Sequence, residues 1–182
     1  MIHIQIAVIY GSTRPGRFCD TIVRWAVERI EASGRFQLDV IDPAQPLAQA
    51  PSLTLQQRLA RADAFLIVTP EYNHGYPAPL KALIDSCGIE WHAKPVAFVS
   101  YGGVSGGLRA VEQLRQVFAE LHAVTIRDSV SFASAWEQFD PSGVLHSPER
   151  AQRTMENMLA QLNWWALALR DARAASPYAS LA

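Results

Sequence analysis

Two glycines and four potential anion donors occur within the seven residues from Gly11 to Arg17. The donors are the hydroxyls of Ser12 and Thr13 and the guanidinium groups of Arg14 and Arg17. Free N–H groups and the dipole at the start of a helix favour an anion, and hydroxyl and guanidinium groups strengthen such a site. The segment therefore predicts a phosphate site, while the alternative is a capped turn with two solvated arginines.

The pattern differs from the two common nucleotide-binding loops. No G-x-x-x-x-G-K-[ST] motif is present, which argues against a P-loop NTPase. Gly11 and Gly16 are five positions apart with no third glycine at the dinucleotide spacing, so G-x-G-x-x-G is also missing. The donor set favours a terminal phosphate monoester over a bridging pyrophosphate.

The elements around this segment predict how it is positioned. An apolar run precedes Gly11–Arg17, and apolar residues at helical spacing follow it. Two further loops, 70–79 and 100–107, also each follow an apolar run. Continuous apolar strands that alternate with helices indicate an α/β protein with a doubly wound parallel sheet. Ligands of such sheets bind beyond the carboxyl ends of the strands, so the three loops are expected to form one site.

We predict one domain over residues 1–182, with a tail that frays from about residue 174. The predicted strands are 3–10, 37–42, 64–69, 96–100 and 123–126, with 37–42 at a sheet edge. The predicted helices are 18–33, 54–62, 80–87, 108–122 and 148–173. Residues 43–53 and 133–147 are expected to be irregular loops.

Composition excludes several classes of protein. The chain has 182 residues, 49% of them hydrophobic, and a net charge of −1, which indicates a globular protein with no nucleic-acid or anionic-membrane partner. Cys19 and Cys87 form no C-x-x-C pair and are expected to be buried, and the five histidines lack metal-ligand spacing. The N-terminus lacks signal-peptide features, so we expect a cytoplasmic protein without a metal site.

Three motifs together resemble the NADPH-dependent FMN reductase family, which includes bacterial quinone, azo-dye and chromate reductases. They are Gly11–Arg17, Pro70-Glu71-Tyr72-Asn73 with 79–85 after it, and Ser100-Tyr101-Gly102-Gly103, and the similarity covers about residues 3–130. The resemblance implies a flavodoxin-like fold of five parallel strands, order 2-1-3-4-5, with helices on both faces. It also implies bound FMN, NADPH or NADH as substrate, and a homodimer or homotetramer.

The same resemblance implies roles for the three loops. The first loop would hold the FMN phosphate. The second would line the edge of the isoalloxazine ring, with the Asn73 amide near the phosphate and ribityl chain. The third would approach the pyrimidine end of the isoalloxazine ring. The implied cofactor-binding residues are Ser12, Arg14, Arg17, Phe18, Pro70, Glu71, Tyr72, Asn73, Ser100, Tyr101, Gly102 and Gly103. The sequence departs from the family where it has Arg17-Phe18-Cys19, since many members have Ser and then Phe-Asn.

The activity that the resemblance implies is hydride transfer from NAD(P)H to FMN, followed by passage of two electrons to a quinone or similar acceptor (flavin, azo dye or chromate) in a ping-pong scheme. No catalytic side chain is certain, and His74 and Tyr101 are the candidates. Two alternatives remain open: a flavodoxin-like electron carrier or flavin-binding regulatory module without NAD(P)H activity, and a weak FMN binder that releases reduced flavin.

Several conspicuous side chains have simpler interpretations. A lone loop carboxylate such as Glu71 is more often a structural hydrogen-bonding group than a general base, and Arg109 is expected to be solvated. His92 and His122 are expected at the surface or as caps. Trp164 and Trp165 are expected to pack in the core rather than at a subunit contact.

Overall fold

The computed structural model describes residues 3–45 and 53–178. Its centre is a five-stranded parallel sheet in the order β2-β1-β3-β4-β5, which confirms the predicted topology. The strands are β1 (Ile4–Tyr10), β2 (Phe36–Ile41), β3 (Ala64–Pro70), β4 (Pro95–Gly102) and β5 (Val124–Ala133). All residues of β3 and β4 are buried, as expected for central strands that are covered on both faces.

Helices cover both faces of the sheet. They are α1 (Cys19–Ser33), α2 (Leu55–Arg61), α3 (Ala78–Asp85), α4 (Leu108–Glu120), α5 (Ala135–Gln138) and α6 (Pro148–Ala175). One buried apolar cluster packs α1 and α6 against the sheet, and a second packs α2, α3 and α4 against the other face. Cys19 and Cys87 are buried free thiols, as predicted.

The chain after β4 differs most from the expectation. β5 continues to Ala133 instead of ending at residue 126, although 127–129 are polar. Val130 and Phe132 are nevertheless buried, because an edge strand covered on one face alternates apolar and polar residues. The segment 133–147 is also not wholly irregular, since it contains α5 and a bridge between Phe139 and Leu145.

The core assignment of Trp164 and Trp165 was wrong. Trp164 is 63% exposed and Trp165 is 37% exposed, while Ala166 is completely buried. A helix that lies on a sheet buries only one stripe, and on α6 this stripe passes through Ala166. The helix ends at Ala175, and residues 46–52 of the predicted loop 43–53 and 179–182 of the predicted tail lie outside the described residues.

Candidate functional site

The first loop leaves β1 in close contact with β3. The N–H of Gly11 donates to the carbonyl of Val68 at 2.7 Å. A Cβ on Gly11 would lie 2.8 Å from the Cα of Thr69, which real Cβ atoms do not tolerate. Glycine at this position therefore allows the loop to begin directly at the carboxyl end of the sheet.

Arg17 ties the first loop to the end of β2. Its Nη1 donates to Asp42 Oδ1 at 2.8 Å and to the Ser12 carbonyl at 2.6 Å, and its Nη2 donates to Asp42 Oδ2 at 2.5 Å. Its Nε donates to Asp20 at 2.9 Å. These contacts use four of the five guanidinium N–H groups, so Arg17 holds the loop in shape and keeps one donor for a ligand.

Arg14 lies over the second loop. Its guanidinium carbon is 3.6 Å from the centre of the Tyr72 ring, a cation–π contact. The Tyr72 hydroxyl lies 2.8 Å from the hydroxyl of Ser12, which is completely buried. No carboxylate in the described part of the chain pairs with Arg14, so its charge is available to a ligand.

The second loop contains a tight turn at residues 72–75. The N–H of Tyr72 donates to the carbonyl of Gly75 at 2.9 Å, and the N–H of Gly75 donates back at 3.1 Å. The two central residues, Asn73 and His74, have φ of 50° and 68°, the left-handed values that asparagine tolerates better than most residues. The side-chain amide of Gln113 donates to the His74 carbonyl at 2.9 Å and ties this turn to α4.

The third loop closes through two glycines that have no room for a side chain. Gly106 and Gly107 have φ of 60° and 87°, and a Cβ on Gly107 would lie 2.7 Å from Ser100 Cβ. The hydroxyls of Ser100 and Ser131 both donate to the Gly106 carbonyl, at 2.8 and 2.9 Å. Ser100, predicted to contact a cofactor, thus fixes the shape of the loop in this structure.

Glu71 joins the second loop to the third. Its carboxylate accepts from the Ser105 hydroxyl at 2.6 Å, and from the backbone N–H and guanidinium of Arg109 at 3.2 and 2.8 Å. Burial opposes ionisation, but these hydrogen bonds outweigh it and hold the pKa of Glu71 below its usual value. Glu71 is therefore a structural group that caps α4. Arg109 is 49% exposed, as expected for a solvated side chain, but it also pairs with Glu71.

The three loops enclose a cavity of about 360 Å³, here called the three-loop cavity. Nine of the twelve predicted cofactor-binding residues line it, whereas Ser12, Asn73 and Ser100 do not. The candidate His74 lies on the exposed tip of the second loop, outside this lining. The lining residues are Arg14, Pro15, Gly16, Arg17, Phe18, Pro70, Glu71, Tyr72, Tyr101, Gly102, Gly103 and Trp136.

Trp136 is the lining residue that the motifs missed. It lies on α5, within a segment for which the sequence predicted no structure. The predicted last strand ended at residue 126, ten residues before Trp136, so no clear signal placed the indole at the site; in the structure β5 ends at Ala133, three residues before it.

Tyr101 forms part of the floor of the cavity. It is only 6% exposed, and its ring centre lies 6.0 Å from that of Phe18. Burial raises the pKa of Tyr101 above its ordinary value, and burial raises the pKa of the neighbouring Cys19 to about 11. Both groups stay protonated at neutral pH, so Tyr101 suits a positioning role better than proton donation.

Comparison with known proteins identifies the family of this chain. Residues 4–137 match the family described as NADPH-dependent FMN reductase. The chain belongs to this family. It is therefore an FMN-dependent NAD(P)H oxidoreductase, with the flavodoxin-like fold that the sequence resemblance implied.

Individual relatives come from fungi, plants and bacteria. An NAD(P)H-dependent FMN reductase of Schizosaccharomyces pombe is 36% identical over 62% of this chain and 64% of its own length. An NAD(P)H:quinone oxidoreductase of Solanum tuberosum is 32% identical over 86% of this chain and 90% of its own. FerB is a flavoenzyme NAD(P)H:(acceptor) oxidoreductase from Paracoccus denitrificans whose structure has been solved. It is 26% identical to this chain with a TM-score of 0.68, and the match covers 89% of this chain and 97% of FerB.

Residues 3–45 and 53–178 contain no helix with the length and apolar character needed to span a membrane.

Proposed function

We propose that this enzyme binds FMN in the three-loop cavity and passes two electrons from NAD(P)H to a quinone or a similar acceptor. The observation that carries the proposal is the common cavity of about 360 Å³, a size typical of small-molecule sites, at the carboxyl ends of β1, β3 and β4. Bound FMN supplies the redox chemistry of both half-reactions, and the protein supplies binding, orientation and electrostatics.

The first loop suits the phosphate of the cofactor. Helix α1 begins after Phe18, and no side chain among the described residues caps its first turn. The dipole of α1 therefore favours an anion at this end of the cavity, although the carbonyls of Arg17 and Phe18 already accept from the N–H groups of Asp20 and Thr21. Arg14 supplies a charge that no carboxylate among the described residues pairs with, and Arg17 supplies rigidity and its one remaining donor.

The other two loops suit a flat ring. Tyr72 and Tyr101 present aromatic surface to the cavity, while Gly102 and Gly103 present backbone without side chains. A planar ring can approach such backbone closely, because glycine has no Cβ. Ser12, Asn73 and Ser100 stay predicted ligands, although the Ser12 hydroxyl contacts the Tyr72 hydroxyl in this structure.

The acceptor is inferred from chemistry and from relatives. The reaction consumes NAD(P)H, one proton and a quinone, and yields NAD(P)⁺ and the quinol, with no nucleophile required of the protein. The potato relative and one from Arabidopsis thaliana, 28% identical over 86% of this chain, are quinone oxidoreductases. We place donor and acceptor on the same open side of the cavity in turn, in a ping-pong scheme, with His74 at the rim as the candidate proton donor.

We also propose that the protein is a homodimer or homotetramer, as the family resemblance implies. Sedimentation at micromolar concentration should give two or four times the mass of one chain, and a monomer would contradict this proposal.

An anaerobic absorbance experiment tests the activity. NADPH added to the FMN-loaded protein should bleach the flavin bands, and a quinone should then restore them without oxygen. A protein whose flavin is bleached by dithionite but not by NADPH or NADH would instead be a carrier or regulatory module. Failure to bind FMN would contradict both functions.

A further inference from the structure

A broad aromatic side chain is exposed at the three-loop cavity without an evident structural role. Trp136 is 59% exposed, and its Cη2 lies 3.9 Å from the position that a Cβ would take on Gly103. Tryptophan is on average well buried, because the indole exposes a large apolar area to water. Its exposure at the mouth of a cavity points to a ligand that covers it.

The chain holds Trp136 in place from both sides. On one side, Ala135 is completely buried and the Ser134 N–H donates to the Gly103 carbonyl at 2.9 Å. On the other side, Phe139 is 5% exposed, with its ring centre 5.8 Å from that of Phe18. The Trp136 side chain therefore lies on an anchored helical turn. A loop without these contacts would not fix its position.

The turn that leads into this helix has an uncommon backbone. Ser134 has a φ of 45°, in the left-handed region that residues other than glycine seldom adopt. This turn carries the chain from the end of β5 back over the third loop, and so brings Trp136 to the cavity. Strained backbone of this kind persists only where the surrounding structure holds it, and it is frequent at ligand sites.

Trp136 and the first loop, which forms the proposed phosphate end, follow different strands of the sheet. Arg14 follows β1 and Trp136 follows β5, and β3 and β4 lie between these strands. Both residues nevertheless line the same cavity. The cavity thus has a cationic end suited to phosphate and, on a different element, an aromatic wall that the phosphate does not need.

We propose that Trp136 determines acceptor specificity: its indole stacks against a flat aromatic acceptor, such as a naphthoquinone, as the acceptor enters the cavity. This inference rests on the proposed function, because it requires a cavity that already holds FMN. Stacking on indole favours planar π systems and gives nothing to a compact inorganic oxidant such as ferricyanide. Trp136 therefore acts in the second half-reaction, on the choice of acceptor.

The test compares two acceptors with the FMN-loaded enzyme at saturating NADPH. In Trp136→Ala we expect the KM for a 1,4-naphthoquinone to rise about 5- to 50-fold, a typical value for the loss of one aromatic stacking partner. We expect the rate with ferricyanide and the Kd for FMN to change less than about twofold, and Trp136→Phe to restore most of the naphthoquinone affinity. Trp164→Ala, which removes an exposed tryptophan on α6 outside the cavity lining, is the matched control and should leave both acceptors unaffected.

Each other outcome would overturn the inference. An unchanged KM for naphthoquinone in Trp136→Ala means that the indole does not contact the acceptor. A higher Kd for FMN with an unchanged acceptor KM would mean that the indole contacts the flavin. Equal losses of activity with both acceptors would mean that the indole supports the fold. If the wild-type enzyme reduces neither acceptor, the proposed function itself fails, which is a different result from an active wild type and an unaffected variant.

Discussion

Arg17 and Asp42 join the first loop to the end of β2 through two parallel hydrogen bonds of 2.8 and 2.5 Å. The two side chains are only 10% and 6% exposed, so water screens this pair weakly. Burial opposes ionisation of Asp42, but the guanidinium outweighs it and holds the pKa of Asp42 below its ordinary value. An arginine that a motif assigns to phosphate therefore also fixes the loop that carries it.

Removal of this arginine should destabilise the protein even without FMN. Arg17→Ala leaves the Asp42 carboxylate with no guanidinium partner at a site that water reaches poorly. We expect the free energy of unfolding to fall by about 1–3 kcal/mol in urea titrations. Arg127→Ala is the control, because that side chain is 94% exposed, and should change stability by less than about 0.5 kcal/mol. Equal losses in the two variants would contradict the role of the ion pair.

Arg14 should contribute to binding instead of to stability. Its guanidinium contacts the Tyr72 ring and has no carboxylate partner among the described residues. We expect Arg14→Ala to weaken FMN binding about 10- to 100-fold, the usual loss for a charged hydrogen-bonding partner, and to leave riboflavin binding nearly unchanged. The Kd values for the two flavins, measured by fluorescence quenching, distinguish a phosphate contact from a ring contact. Equal weakening for FMN and riboflavin would place Arg14 at the ring.

The third loop should tolerate no side chain at Gly107. Gly107→Ala combines a φ of +87° with a Cβ only 2.7 Å from Ser100, whereas Gly34→Ala at the end of α1 has a φ of +63° and open space. We expect Gly34→Ala to cost about 1–2 kcal/mol from backbone strain alone. Gly107→Ala should cost more, and thermal unfolding of the two proteins should separate them by several degrees. Equal melting temperatures would contradict the steric conflict between Ser100 and a Cβ at position 107.

A buried lysine gives a prediction about pH. Lys94 is 6% exposed, its Nζ donates to the carbonyls of Leu59 and Ala60, and burial lowers its pKa to about 8. Between about pH 8 and the unfolded value of 10.5 the unfolded chain binds more protons, so this group makes stability rise with pH. As the pH rises over that range, the wild type should therefore gain stability relative to Lys94→Met. A difference independent of pH would mean that Lys94 titrates normally.

The topology could be predicted because its signals are local. Apolar runs such as 64–69 and 96–100 end at glycine- or proline-rich loops, and buried parallel strands require this pattern. The position of the site followed from the same argument, since loops after adjacent parallel strands meet at one edge.

The partners within the site could not be predicted in the same way. Nothing in the sequence near Arg17 indicates Asp42, which is 25 residues away, or pairs Glu71 with Arg109, 38 residues away. Trp136 was missed because its placement depends on a turn at Ser134 and on burial of Phe139, neither of which leaves a periodic pattern. Motifs thus predicted which groups are suited to chemistry, and packing decided which of them hold the loops together.

The central claim is that FMN occupies the three-loop cavity, and a side chain added at Gly103 tests it most directly. The φ of Gly103 is not in the left-handed region, and among the described residues a Cβ there would meet only Trp136, at 3.9 Å. Gly103→Leu should therefore fold while its side chain enters the cavity. We would titrate FMN into the flavin-free wild type, Gly103→Leu, and the control Ala160→Leu, which adds the same bulk at an exposed position on α6. The account predicts a Kd at least about tenfold weaker in Gly103→Leu alone, with melting temperatures of the flavin-free proteins unchanged. Full FMN affinity in Gly103→Leu would contradict it, because the cofactor would then have to bind elsewhere.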